Sequence, residues 1–60
     1  MESTLDPTYM IQFEDVDGWR WYSTLEYATA ENARYDAPTQ MYGEPVMTRI
    51  IRVERVVIDD

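Results

Sequence analysis

Sixty residues carrying twelve acids and five bases, with neither cysteine nor histidine, set narrow limits on this chain. The formal net charge of −7, with arginine as the sole base, repels nucleic acid and membrane surfaces alike. Disulfides, thiolate or imidazole metal sites, and histidine- or lysine-assisted nucleophilic catalysis are excluded by composition. A hydrophobic content of 45% is that of a globular domain. A chain this short buries only about 60% of the surface its unfolded form exposes, and such a core rarely yields more than ~3–5 kcal/mol. The longest apolar run, Val56-Val57-Ile58, is far short of a bilayer span. The N-terminus lacks the basic and apolar regions of a signal peptide. A soluble, cytoplasmic protein is expected. Its acidity serves either plain solubility or docking on a basic surface that normally holds nucleic acid.

Residues 1–8 read as a flexible lead-in, polar and interrupted by Pro7. Residues 9–58 form the single small domain. Tyr9 to Glu14 alternates, with Tyr9, Ile11 and Phe13 on one face, which predicts a half-buried strand. Asp15-Val16-Asp17-Gly18 carries turn chemistry. A two-residue turn at Asp17-Gly18 sets Phe13 against Tyr22 and turns both tryptophans outward. A three-residue loop with a glycine bulge pairs Phe13 with Trp21 and Asp15 with Trp19 instead. The bulged hairpin places Ile11, Phe13, Trp19 and Trp21 in the core, so it is preferred.

Ser23-Thr24-Leu25-Glu26 reads as a capping box, with Tyr22 and Tyr27 as its staple. The helix then runs to Tyr35 or Asp36, because Pro38 disfavours helical geometry at Ala37. Leu25, Ala28 and Tyr35 share one side with Asn32, and Ala30 and Ala33 the other, so the inward face is open. Residues 37–45 form a loop with two prolines and a glycine. A long β-branched strand follows from Val46, and the adjacent Ile50-Ile51 suggests a bulge near Arg49–Arg52. The expected fold is α+β: three antiparallel strands with one helix packed on a face, in the order ββαβ.

Catalytic and metal motifs are weak. Asp15-x-Asp17-Gly18 begins like a calcium loop and Glu26 falls at its twelfth position, yet Trp19 and Arg20 stand where a ligand and a glycine belong. The turn explains these residues better. No carboxylate pair has apolar surroundings that tune it for acid–base work. A non-enzymatic protein with no cofactor is expected. Two sets of residues remain as partner-binding candidates. Arg49, Arg52 and Arg55 lie on the last strand, where they serve either as guards against edge aggregation or as forks for carboxylates. Alternation puts Arg49 and Arg55 on one face and Arg52 with Glu54 on the other. Glu14, Asp15 and Asp17 cluster at the turn, and with further acids they make either a solvated face or an imitation of a phosphate backbone.

The order of elements, with "STLEYATAENARY", a glycine-containing loop and "VMTRIIRVERVV", resembles the small RNA-polymerase inhibitors of T-odd bacteriophages. Thr24-Leu25-Glu26, Ala28 and Tyr35 match the helix of that family, and Thr48-Arg49 with Arg52 match its last strand with one residue inserted. The resemblance spans residues 9–57 on common residue types. It implies a host protein as partner, RNA polymerase first in line, and transcription blocked without chemistry. Arg49 and Arg52 would grip an acidic surface of the polymerase, the inserted residue altering their faces. Two alternatives stand beside it. One is an acidic nucleic-acid mimic inhibiting a bacterial defence nuclease of the CRISPR or restriction type. The other is a homo-oligomeric assembly protein joined through its last strand. None of these readings involves direct binding of nucleic acid or membrane.

Overall fold

The computed structural model describes residues 2–59. Its elements in chain order are β1 (Ser3–Thr4), β2 (Thr8–Asp15), β3 (Gly18–Trp21), α1 (Ala30–Asp36), β4 (Gln40–Met41), β5 (Glu44–Pro45), β6 (Thr48–Val53) and β7 (Val56–Val57). The chain is α+β, with one helix and antiparallel strands among the described residues. Three strands form the main sheet, in the order β3-β2-β6. The three-stranded antiparallel sheet fits the expectation, whereas the element order is longer than the expected ββαβ. Four two-residue strands accompany the sheet: β1 pairs with β7, and β4 with β5. The segment read as a lead-in therefore contains a strand, tied further by Leu5 donating its N–H to the Arg55 carbonyl.

The central strand β2 follows its alternation. Ile11 has no exposed surface, and Ala33 of the helix has none either. Helix α1 makes its contacts with β2 and β6. Arg34 donates to the Thr48 hydroxyl at 3.1 Å. Thr48 pairs with Phe13 and Ile50 with Ile11, so the helix lies on the side of the sheet that carries Ile11. The inward helix face is thus that of Ala33, whose small side chain lets the backbone approach closely. Leu25 and Tyr35, the alternative inward set, are 60% and 90% exposed.

The hairpin register differs from both expected arrangements. Asp15 pairs with Gly18, Glu14 with Trp19, Phe13 with Arg20 and Gln12 with Trp21, which shortens the loop to Val16 and Asp17. Relative to the expected bulged loop this is a shift of one residue, and it carries every β3 side chain to the opposite face. Trp19 and Trp21 therefore do not join Ile11 and Phe13. Local polar ties accompany this register. Asp15 accepts the Val16 N–H at 2.8 Å, and Arg20 reaches Asp15 at 3.0 Å and Asp17 at 3.3 Å. Gly18 adopts φ +119°, which side-chain-bearing residues rarely reach.

The helix also starts later than expected. The Ser23 hydroxyl accepts the Leu25 N–H at 3.2 Å in a local turn. Glu26 does not reach back to cap; it accepts from Thr8 at 2.6 Å and from Arg55 at 2.7 Å. Tyr27 exchanges both backbone hydrogen bonds with Tyr9, so this stretch extends along β2. The true N-cap is Thr29, whose hydroxyl accepts the Asn32 N–H at 3.1 Å. The C-terminal end at Asp36 agrees with the block at Pro38. In β6, pairing with β2 runs unbroken from Thr48 to Val53, so no bulge occurs at Ile50-Ile51. The two isoleucines are adjacent because each faces a different side of the sheet. The strand breaks later, at Glu54 and Arg55.

The molecule is thin and long. Its extents are 48 × 24 × 13 Å and its radius of gyration is 14.0 Å, against about 10 Å for a compact chain of this length. Accessible surface is 4961 Å², roughly 900 Å² above the scaling for a compact monomer of this mass.

Candidate functional site

Cross-strand partners share a face, so the register assembles a second surface on the side away from the helix. Met10, Gln12 and Glu14 of β2 meet Trp19 and Trp21 of β3 and Arg49, Ile51 and Val53 of β6. Among the described residues no helix or strand packs over it. The two indoles lie on one strand two residues apart, about 6.7 Å along the chain. Trp21 is 50% exposed, while Trp19 is half-buried.

Arg49 explains the difference. It springs from the opposite edge strand, donates its Nε–H to Gln12 Oε1 at 2.7 Å and sets its guanidinium 4.2 Å from the Trp19 ring centroid. The side chain thus crosses the central strand and covers part of the face. Such a stack contributes about 0.5–1 kcal/mol at an exposed site. Gln12 engages only Nε, so the terminal nitrogens have no carboxylate partner among the described residues. The result is a flat, apolar patch with one fixed, unneutralised cation. It suits recognition by contact.

The other expected site residues are dispersed. Arg52 lies on the helix side, in register with Tyr9, and pairs with Glu54 at 3.0 Å. Arg55 is bound to Glu26 and Thr8. Hydrogen bonds from Thr8 and Arg55 hold the Glu26 carboxyl below its ordinary value. Asp15 and Asp17 are both engaged by Arg20. Glu14, on the Trp19 side, pairs with no arginine among the described residues. Near the helix, the Asp36 carboxylate beside Tyr27 pushes its phenol above the ordinary value. Trp19, Trp21 and Gln12 were missed as surface residues by sequence reasoning. The available signal lay in Asp15 and Arg20, whose ion pair accompanies the observed register. Among the described residues no three carboxylates gather to hold a metal ion, and no helix is long and apolar enough to cross a membrane.

No protein-family model matches the chain, and no significant match was found among curated proteins or solved structures.

Proposed function

We propose that this protein is a non-enzymatic inhibitor that docks through its open sheet face onto a host nucleic-acid-handling protein, with RNA polymerase first in line. The observation that carries the docking reading is the uncovered face itself. It holds a half-exposed tryptophan beside a pre-positioned arginine, the residue types that dominate interface energetics. The polymerase is favoured by the likeness of the helix and last-strand residues to the T-odd phage inhibitors. Among the described residues, Arg49 alone of the three candidate arginines has no carboxylate partner, and it takes the gripping role.

Binding of the chain to purified bacterial RNA polymerase, together with promoter-dependent transcription, tests this reading. Arg49→Ala and Trp21→Ala each weaken binding at least tenfold, an effect of about 1.4 kcal/mol. Tyr35→Ala, 90% exposed on the helix, leaves binding unchanged. Absence of polymerase binding by the unmodified chain removes the partner assignment. A second reading, the acidic mimic of nucleic acid, is favoured by one observation: Glu14, Glu31, Asp36 and Glu44 pair with no arginine among the described residues. Binding to a defence nuclease that falls steeply with salt, and is lost only on neutralising several of these acids, selects that reading.

A further inference from the structure

The open face carries two charges of opposite sign, Glu14 and Arg49, that form no ion pair among the described residues. They stand at the same indole: Trp19 is the cross-strand neighbour of Glu14, and the Arg49 guanidinium lies over its ring. Both residues are exposed. At the Thr8 end of this face, Glu26 and Arg55 neutralise each other at 2.7 Å. The face is therefore balanced in charge, although the chain carries −7. The acids Glu31 and Asp36 belong to the helix on the other side of the sheet, and Glu44 to β5.

We infer that the open face also pairs with itself, joining two copies of this chain in a symmetric dimer. A two-fold interface sets one patch against its own duplicate, so each group must meet its complement. The register supplies the complements. An axis crossing the strands at the level of Phe13 sets Glu14 against Gln12 of the second copy, where that copy's Arg49 crosses the sheet. The same axis lays Trp21 over the stack of Arg49 and Trp19 in the second copy. Two charge-assisted Glu14–Arg49 pairs then close the contact around the indoles. Net charge repels the copies and keeps the dimer weak, with a dissociation constant on the order of 100 µM. At low micromolar concentration the face is free, so a second copy and a host protein occupy it in turn. The inference does not rest on the polymerase assignment.

The test is sedimentation equilibrium of the full chain from about 10 µM to about 1 mM. The mass rises from 7.1 kDa toward twice that value. Glu14→Arg and Arg49→Glu each weaken self-association roughly tenfold or more, because like charges then face each other. An equimolar mixture of the two variants regains the dimer, since one carries two cations and the other two anions at these positions. In the unmodified chain, amide NMR shifts on dilution are confined to residues 10–14, 19–21 and 49–53, a reading that needs no variant. A mass that stays monomeric at the highest concentration, or dilution shifts confined to other residues, overturns the inference. So does a mixture that remains monomeric, or a variant that associates as tightly as the unmodified chain, as pairing through the β6 edge would allow.

Discussion

The two faces of the β3-β2-β6 sheet are built from the same strands, yet they are finished differently. On one, helix α1 contacts β2, and neither Ile11 nor Ala33 retains exposed surface. On the other, Trp19 and Trp21 flank the Gln12 position, and Arg49 reaches across from β6 to lie over the Trp19 ring. The larger aromatic side chains thus lie on the less covered face. In so small a domain, burial on the helix side supplies cohesion, and bulk left on the opposite side is free for recognition. The largest hydrophobic groups of a chain are not by that fact its core.

Substitutions separate the faces, beginning with the largest effect. Ile11→Ala costs about 2–5 kcal/mol, comparable to the whole stability of such a domain, and leaves the chain unfolded by far-UV circular dichroism. Ala33→Val overpacks the closest approach of helix and sheet and costs about 1–3 kcal/mol in urea denaturation. Arg49→Ala lowers stability by about 1 kcal/mol or less. It shifts the Trp19 emission to longer wavelength as the indole loses its cover. Gly18→Ala meets nothing within 4 Å but must adopt φ +119°. Its cost is therefore conformational, about 1 kcal/mol, with no change in partner binding. Equal stability losses from Ile11 and Trp21 variants contradict the division between faces.

The smallest effect concerns pH. Because the Glu26 carboxyl is held below its ordinary value by Thr8 and Arg55, its contribution is fully present above pH 4.5 and is lost as pH falls through the lower folded value. Glu26→Gln flattens the acid limb of the stability profile, and an unchanged limb contradicts the assigned contacts.

Much of the fold was legible from local pattern. The alternation of Tyr9, Ile11 and Phe13, the turn at Asp15 to Gly18 and the block at Pro38 each needed only neighbouring residues. What failed depended on distant ones. Ser23 to Glu26 has the form of a capping box, but Arg55 claims the Glu26 carboxylate from 29 positions away. The Ile50-Ile51 doublet suggested a bulge because only one apolar face was allowed for, whereas β6 carries isoleucine on both. The register was chosen to bury the tryptophans. The Asp15–Arg20 pair accompanies another, and Arg49, 30 residues beyond Trp19, supplies partial cover there. For the site, the pattern singles out Arg49 as a candidate, while burial of the tryptophans was the criterion that hid the aromatic ring on which it stacks.

Quenching of Trp21 fluorescence by acrylamide in the Trp19→Phe variant, with and without purified RNA polymerase, bears most directly on the open face. The account predicts ready quenching in the free chain and strong protection once the polymerase is added. An indole already shielded in the free chain, or one equally quenched in a complex shown to have formed, contradicts it.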